Sequence, residues 1–320
     1  MPLKERELIA RIGRSARALR NSAVTKAIGD DCAILRFRAG YEALVTTDFS
    51  IEGTHFRREW HPADVIGHRC LTRGLSDIAA MGGEPVAAFL SLALPGELPQ
   101  KWVDGFFAGL LALAKKYKVK LAGGDVSAAP LICADIVAVG QLPRGRAVFR
   151  SGAKPGDGIY VSGELGRAAA VLQALRKGEA ISPRSREAQR HFYPEPRIKV
   201  GQYLREHKLA TAMIDISDGL STDLSHLCEE SGVGALISEH SIPRPSGWQF
   251  GSSSLHLALH GGDDYELLFT AAPFAKVPRE TAGVRITRIG EIRADKRQQI
   301  FLVDSHGQRK LLTPGGWQAF

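Results

Sequence analysis

Short apolar runs alternate with amphipathic stretches along the whole chain, which predicts a mixed α/β protein. Strands are predicted at 43–48, 86–94, 131–141, 159–163, 212–217 and 265–270. Helical periodicity predicts helices over 64–80, over 99–117, from Arg167 onward and after Gly219. A further amphipathic helix is expected at the N-terminus, with its buried side formed by Leu8, Ile9, Ile12 and Leu19.

A turn-rich segment divides this series of strands and helices into two halves. The segment SGAKPGDG occupies residues 151–158, between two strand-like runs. A chain of 320 residues is long enough to form two ordinary domains. We therefore expect an N-terminal domain over 1–150 and a C-terminal α/β domain over 151–320.

The composition is that of a globular protein with a basic balance. Lys and Arg number 42 against 34 Asp and Glu, and 44% of the residues are apolar, which excludes an intrinsically disordered chain. No apolar run approaches the ~20 residues of a membrane-spanning helix, and the N-terminus lacks the apolar core of a secretory signal. Four cysteines without CxxC spacing predict buried, reduced thiols and a cytoplasmic location. The positive charge favours anionic ligands, namely nucleic acid, an acidic membrane or a phosphorylated metabolite.

Although the chain is basic, acidic residues recur next to glycine or hydroxyl residues near the ends of the apolar runs. These residues are Asp31, Asp48, Asp77, Asp125, Asp215, Asp218 and the pair Asp263-Asp264. Singly, such residues are commonly turn or cap residues. As a set they are expected to converge at one edge of a sheet, where neighbouring carboxylates require cations between them. Carboxylate and hydroxyl oxygens suit Mg²⁺, which proteins usually hold together with water and substrate phosphates.

This chemistry points to a polyphosphate substrate, yet the common nucleotide-binding motifs are absent. The chain has no GxxxxGK[ST] loop, no GxGxxG after its first strand and no HRD…DFG set. Arg144, Arg146 and Arg150 are candidate phosphate contacts just before the domain boundary. If this chain uses ATP, its fold is therefore unrelated to those that carry these nucleotide-binding motifs.

Several long motifs resemble those of thiamine-monophosphate kinases and occur in the same order. They are GDDCAIL (29–35), TTDFSIEGTHF (46–56), LSDIAAMGGEP (75–85), GGDVS (123–127), RSGAKPGD (150–157), IDISDGLSTDL (214–224), GGDDYELLFT (261–270) and GGWQAF (315–320). The resemblance covers essentially the whole chain. It implies the two-domain fold of the aminoimidazole-ribonucleotide synthetase-like superfamily, with a C-terminal domain that completes the active-site cleft. It also implies a homodimer whose N-terminal sheets pair.

The resemblance implies an ATP- and Mg²⁺-dependent conversion of thiamine monophosphate to thiamine diphosphate, and it assigns residues to that reaction. The implied metal ligands are Asp31, Thr47, Asp48, Asp77, Asp125, Asp215 and Asp218. The implied ATP contacts are Gly124, Asp125, Arg150 and Ser217. The implied thiamine phosphate contacts are His55, Asp263 and Trp317.

Two positions depart from the family pattern. Many relatives have Glu where this chain has Asp263, so the carboxylate is one methylene shorter. Relatives often have Asn three residues before the acid at Asp77, where this chain has Gly74. The expected support of Asp77 by a neighbouring amide is therefore missing here.

The expected mechanism is a direct in-line transfer, without a covalent nucleophile on the protein and without nucleic acid or membrane partners. The acceptor phosphate is already ionised near neutral pH, so positioning and electrostatics would supply most of the rate. One alternative is another ATP-dependent synthetase of the same superfamily; a selenophosphate synthetase would need a reactive early cysteine, and only Cys32 is available. The other is a basic RNA-binding module, which the aromatic content of 7% disfavours.

Overall fold

The computed structural model describes residues 5–28, 32–245 and 254–318. The chain divides into two compact units. The N-terminal unit comprises Met1–Ile78 and Gly83–Gly145, and the C-terminal unit comprises Ala79–Gly82 and Arg146–Phe320. Each unit contains its own β-sheet, so the fold is a two-domain mixture of helices and mainly antiparallel sheets.

The N-terminal unit is built on a four-stranded sheet. Its helices are α1 (Glu5–Ala16), α2 (Ala63–Ala80) and α3 (Gln100–Lys116). Its strands are β1 (Val24–Lys26), β2 (Ile34–Leu35), β3 (Tyr41–Ile51), β4 (Glu84–Leu94), β5 (Lys120–Ala128) and β6 (Cys133–Pro143). The sheet order is β3-β6-β4-β5, in which only β4 and β5 run parallel, while β1 and β2 form a separate ladder.

The two faces of this sheet have different surroundings. Helix α2 packs so closely on one face that a methyl group at Gly74 would lie 2.7 Å from the Cβ of Ala138 on β6. A side chain at position 74 would push the helix away from the sheet, which explains why glycine occupies it. On the opposite face, Val45 is 68% exposed and Phe49 is 55% exposed.

The C-terminal unit is built on a larger sheet. Its helices are α4 (Arg167–Arg176), α5 (Gln189–Phe192), α6 (Ile198–Glu206), α7 (Leu220–Ser231) and α8 (Ser254–His260). Its strands are β7 (Gly158–Ser162), β8 (Ala212–Ile216), β9 (Gly234–Ser238), β10 (Glu266–Ala271), β11 (Glu280–Thr281), β12 (Val284–Arg293), β13 (Ile300–Val303) and β14 (Arg309–Leu311). The strand order is β14-β13-β9-β12-β7-β10-β8, with β11 paired to β12. Only β9 and β13 run parallel in it.

Strand β8 places the loop at residues 217–219 at the end of the C-terminal sheet. All five of its residues are buried, because the strand lies under α7 and contributes Ile214 and Ile216 to the apolar core. Gly219 has a φ of +118°, which lets the chain turn sharply from the strand into α7. The acidic residues around this turn are therefore held between two buried elements.

Most of the predicted strands and helices are confirmed, with three corrections. Strand β3 continues to Ile51, so Asp48 lies inside the strand and not at its end. Gly124 and Asp125 lie within β5, where a turn was expected. Ile9 is 41% exposed and does not belong to the buried side of α1, and Leu19 is buried but lies beyond Ala16, where α1 ends. The alternating pattern of apolar residues was too short to define the end of β3. Two consecutive glycines, which usually indicate a turn, made β5 unrecognisable as a strand.

Among the residues that the structure describes, none of the helices combines the length and apolar character that crossing a bilayer requires.

Candidate active site

Asp48 and Asp77 form an acidic cluster in the N-terminal unit. Asp48 lies on β3 and Asp77 near the end of α2, and a hydrogen bond joins their carboxyl groups, which requires a proton on one of them. The hydroxyl of Thr46, also on β3, donates to Oδ2 of Asp77. Asp77 thus has a hydroxyl partner even though Gly74 supplies no amide.

The electrostatics of this cluster favour a cation. Burial and, after it, the charge of Asp77 raise the pKa of Asp48 to about 7, although the positive charge of Arg73 acts in the opposite direction. Two carboxylates in contact and partly withdrawn from water cannot both ionise cheaply. A divalent cation at this position would remove the repulsion and replace the shared proton.

Thr47 and Asp125 lie in a different part of the N-terminal sheet. Side chains alternate along a strand, so Thr47 lies on the face opposite Asp48, and its hydroxyl donates to Oδ1 of Asp135 at 2.6 Å. The strand register places Asp135, Ser91 and Asp125 in one row across β6, β4 and β5. The sheet therefore separates two oxygen-rich groups that the sequence predicted as one.

Gly124 and His55 are both held by contacts with the backbone. Gly124 has a φ of +144°, and a methyl group there would lie 1.9 Å from the carbonyl oxygen of Leu90, so the pairing of β4 and β5 already requires glycine. The backbone N–H of Ile51 donates to Nδ1 of His55 at 3.0 Å. A neutral His55 therefore carries its proton on Nε2.

A second acidic cluster surrounds the start of α7 in the C-terminal unit. Asp215 is 4% exposed at the end of β8, and Asp218 follows in the turn. Oδ2 of Asp223 accepts hydrogen bonds from the backbone N–H groups of Asp218 (3.2 Å) and Gly219 (3.0 Å). Burial, followed by the charges of Asp215 and Asp218, raises the pKa of Asp223 to about 8, although the two backbone hydrogen bonds act in the opposite direction. The carboxylates of this cluster therefore repel one another.

The C-terminal tail is anchored to the same turn. The backbone N–H of Trp317 donates to the carbonyl of Asp218 at 3.0 Å, and that of Gly316 donates to Oγ1 of Thr222 at 3.1 Å. The backbone N–H of Asp263 donates to the carbonyl of Ser217 at 2.8 Å. The structure therefore brings Ser217, Asp218, Asp263 and Trp317 together. The tail is not frayed at Trp317, whose side chain is 46% exposed.

Asp263 adopts an unusual backbone conformation. Its φ is +65°, a region that Asp tolerates better than most residues. Its Oδ1 accepts a hydrogen bond from the phenolic hydroxyl of Tyr265 at 2.7 Å. This hydrogen bond orients the carboxylate of Asp263. It uses Oδ1 and does not involve Oδ2.

The remaining predicted site residues are Arg150 and Asp31. Arg150 is exposed, and its carbonyl accepts a hydrogen bond from Oγ of Ser231 at 3.1 Å. Asp31 lies outside the described residues.

The donor chemistry of both clusters fits Mg²⁺. Within residues 5–28, 32–245 and 254–318, no three His, Cys, Asp or Glu side chains converge into a complete metal site. Mg²⁺ rarely takes such a site, because it is usually held by one or two carboxylates together with water and substrate phosphates. Each cluster has neighbouring carboxylates, one of them with a raised pKa. These carboxylates are the ligands that Mg²⁺ usually takes from the protein, while water and substrate supply the rest.

Three residues of these clusters were not predicted from the sequence: Thr46, Asp135 and Asp223. Two signals were available. The period of two along β3 places Thr46 on the same face as Asp48, and Asp223 lies in the first turn of a helix that follows an acidic loop. For Asp135 the sequence gives no signal, since its row depends on the strand order.

Comparison with known proteins identifies the family. Residues 29–142 match the N-terminal domain and residues 154–303 the C-terminal domain of AIR synthase related proteins. The thiamine-monophosphate kinase of Salmonella typhimurium is 39% identical over 305 residues, which cover 92% of each chain. The structure of the thiamine-monophosphate kinase from Stenotrophomonas maltophilia has a TM-score of 0.84 at 35% identity, covering 97% of this chain and 99% of that one. The structure of AaThiL complexed with AMPPCP and TMP has a TM-score of 0.79 at 31% identity and covers 99% of both chains. The chain belongs to the AIR synthase related proteins and, within them, to the thiamine-monophosphate kinases.

Proposed function

We propose that the protein transfers the γ-phosphoryl group of ATP to thiamine monophosphate and so forms thiamine diphosphate. The observation that carries this proposal is the pair of acidic clusters, around Asp48-Asp77 and around Asp215-Asp218-Asp223, in a chain of this family. A relative of the same fold is described in complex with AMPPCP and TMP, which is consistent with an ATP-like and a thiamine phosphate ligand.

Both reactants are anions, so the main barrier is their mutual repulsion. We propose that Asp48 and Asp77 hold Mg²⁺ on one face of the N-terminal sheet, that Thr47 and Asp125 do so on the other face, and that Asp215 and Asp218 do so in the C-terminal unit, with Asp31 as a further ligand. Bound Mg²⁺ would neutralise phosphate oxygens and stabilise the charge that develops on the transferred group. Thr46 holds Asp77 and Asp223 holds the 218–219 backbone, so both would orient the carboxylates that bind the metal.

The remaining residues are proposed to bind the two substrates. Gly124, Arg150 and Ser217 would contact ATP, where Arg150 offers a fixed cation to a phosphate. His55, with its proton on Nε2, would donate to the acceptor phosphate. Asp263 and Trp317 would recognise the cationic thiazolium and the aminopyrimidine of thiamine through charge and cation–π attraction. A phosphate acceptor that is already ionised needs no strong base and no covalent nucleophile on the protein.

The proposal is tested with a panel of acceptors. Purified protein is incubated with Mg·ATP and, separately, thiamine monophosphate, thiamine, and the carbonyl or selenide acceptors of related synthetases, and ADP release is measured. Release that depends on thiamine monophosphate alone supports the proposal. Release with a carbonyl or selenide acceptor and none with thiamine monophosphate would assign the chain to another reaction of the superfamily.

Replacing Trp317 by Ala is expected to raise the KM for thiamine monophosphate roughly two- to thirtyfold while the KM for ATP changes little. A cation–π contact contributes about 0.5–2 kcal/mol, which gives that range. The tail anchor should survive, because it uses the backbone N–H of Trp317 and not its ring. Steady-state kinetics with each substrate varied in turn measure both constants.

Trp317→Phe serves as the matched control and should recover most of the affinity, since it keeps an aromatic face. An equal rise in both KM values for Trp317→Ala would mean that the ring supports the fold of the tail and does not bind the acceptor.

We also propose that the protein is a homodimer formed through the N-terminal sheet. Strands β4 and β6 are inner strands, paired on both sides, so their apolar residues offer no free edge to a second copy. What supports the dimer is the open face of the sheet, where Val45 and Phe49 are exposed. Apolar side chains clustered on one sheet face favour association with a second copy.

Replacing Val45 and Phe49 together by Glu is expected to convert the dimer to a monomer at micromolar concentration, because buried, unpaired charges would face each other across a two-fold interface. Light scattering coupled to gel filtration measures the mass. Leu311→Glu is the control: Leu311 is 46% exposed on β14, in the other unit, and its replacement should leave the dimer intact. A wild-type monomer with full activity would refute the proposed dimer.

We place the protein in the cytoplasm. All four cysteines are free in the structure; Cys70 and Cys228 are buried as predicted, whereas Cys32 is exposed and Cys133 is half-buried, so the predicted burial is wrong for these two. Free, buried thiols fit a reducing compartment.

A further inference from the structure

A cavity of about 280 Å³ lies in the C-terminal unit, beside β12 and the segment that follows β9. Its wall is formed by residues 240–244, by Arg285, Thr287 and Arg288 of β12, and by Glu164. A second cavity of about 810 Å³ adjoins it, because Glu164 and Arg285 belong to both walls. Neither wall includes a residue that is assigned above to metal, ATP or thiamine phosphate.

The smaller cavity is rich in positive charge. Its wall contains His240, Arg244, Arg285 and Arg288 but a single acid, Glu164. Oε2 of Glu164 already pairs with Arg167 at 3.1 Å. The cavity therefore has basic groups that its own carboxylate does not balance.

The guanidinium groups of this wall differ in their ion pairs and hydrogen bonds. The guanidinium of Arg288 is 3.6 Å from Glu291, and its Nε donates to the carbonyl of Gly290 at 3.3 Å. Among the described residues, Arg244 and Arg285 have no carboxylate within the 4.0 Å of an ion pair. These two side chains supply fork-shaped donors that no described acid uses.

Hydroxyl groups complete the polar wall. Ser241 and Thr287 both line the cavity, and Oγ1 of Thr287 is buried without a hydrogen-bond partner among the residues that the structure describes. A buried hydroxyl usually has a partner, so Thr287 is an exception; its oxygen is covered from solvent, and the arginine side chains are the donors most open to a ligand.

We propose that this cavity binds the phosphate group of a small phosphorylated metabolite, whose remaining part lies in the adjoining larger cavity. Arginine forks and hydroxyl donors are the groups that recognise phosphate oxygens directly. A volume of about 280 Å³ accommodates a phosphate or diphosphate, and the adjoining volume of about 810 Å³ leaves room for an organic group.

This site is separate from the acidic turn after β8 and has the opposite charge. In the sheet order, β7 and β10 lie between β12 and β8, so about three strand spacings, roughly 14 Å, separate the two strands. The acidic turn needs cations before it can accept a phosphate, whereas the arginine-lined cavity supplies its own. Binding in the cavity is therefore independent of Mg²⁺ and of the proposed reaction. A phosphorylated metabolite in the cavity and a substrate at the acidic turn can be bound at the same time.

The test is a calorimetric titration with inorganic pyrophosphate in the presence of EDTA, which removes divalent cations. Wild-type protein is expected to bind one pyrophosphate per chain. The double variant Arg244→Gln and Arg285→Gln should bind it about tenfold more weakly or worse, because two charge-assisted donors are lost. Arg309→Gln, on β14 and outside both cavities, is the matched control and should bind like wild type.

Displacement then identifies the metabolite. ADP and thiamine diphosphate are titrated against bound pyrophosphate in the same buffer, and displacement by either one confirms a metabolite site and names its source. Absence of binding without Mg²⁺, or equal binding by the double variant, would overturn the proposal. Pyrophosphate binding that neither compound displaces would also overturn it, because an adventitious ion only would then be bound. Turnover of the double variant, measured separately, shows whether its fold is intact and should stay near the wild-type value.

Discussion

Replacing Asp48, Asp77 or Asp215 by Asn is expected to lower kcat about a hundredfold or more for each variant. This is the magnitude lost when one preorganised electrostatic contact to a transition state is removed. Asn keeps the shape of the side chain and removes its charge, so the loss reports on cation binding. The hydrogen bond between Asp48 and Asp77 shows how close these carboxyl groups lie. Initial rates of thiamine diphosphate formation at saturating substrates measure the effect.

The control for these variants is an acid whose role is confined to a turn. Oδ1 of Asp295 accepts a hydrogen bond from the backbone N–H of Arg297 at 2.8 Å, and Asn can make the same bond. Asp295→Asn should therefore retain full activity. If the three cluster variants also stay within a few-fold of wild type while remaining folded, the cluster acids are structural residues and the proposed metal sites are wrong.

Replacing Glu266 by Gln is expected to destabilise the C-terminal unit by about 3–5 kcal/mol, the cost of removing one partner from a buried ion pair. Glu266 is fully buried and accepts hydrogen bonds from Nη1 of Arg190 (2.8 Å), Nε of Arg197 (2.6 Å) and Oγ of Ser162 (2.5 Å). The variant would leave these arginines without their carboxylate. Denaturant unfolding followed by circular dichroism measures the change in free energy.

The same carboxylate gives the stability a definite pH dependence. Burial by itself would raise the pKa of Glu266, but the charges and hydrogen bonds of Arg197 and Arg190 outweigh it and hold that pKa below its ordinary value. A lowered pKa in the folded state means that this contribution is present above the unfolded pKa and is lost as the pH falls through the folded one. Wild-type stability should therefore fall on acidification more steeply than that of Glu266→Gln.

Glu280→Gln provides the comparison, because Glu280 is an exposed residue on β11. Its stability and pH dependence should match those of wild type. A change of less than about 1 kcal/mol for Glu266→Gln, the scale of an exposed pair, would contradict the assigned role of the buried carboxylate.

The sequence predicted those helices and strands whose apolar pattern is clear within a short stretch of the chain. Helix α2 was predicted from its helical period to within one residue, and β8 with the turn into α7 was predicted from an apolar run followed by Asp218-Gly219. Strands β12, β13 and β14 were not predicted, because the C-terminal region alternates weakly and these strands are stabilised by partners distant in sequence.

Site residues that belong to a sequence motif could be predicted. Contacts between residues distant in sequence could not, because they depend on how the chain folds. Asp48 and Asp77 are 29 positions apart, and their contact depends on α2 lying directly on the sheet at Gly74. Thr47 was grouped with Asp48, although alternation along β3 places the two on opposite faces and pairs Thr47 with Asp135. The arginine-lined cavity joins residues from three separate segments, so no local pattern indicates it.

A single-turnover experiment with γ-labelled ATP tests the central claim most directly. Protein in excess is mixed with labelled Mg·ATP and thiamine monophosphate, quenched at intervals and separated into nucleotide, thiamine and protein fractions. The label should pass from ATP into the terminal phosphate of thiamine diphosphate, should not accumulate on the protein, and should stay in ATP when EDTA is present. Labelled protein that survives denaturation would contradict direct transfer, and the absence of labelled thiamine diphosphate from an active, folded preparation would contradict the proposed reaction itself.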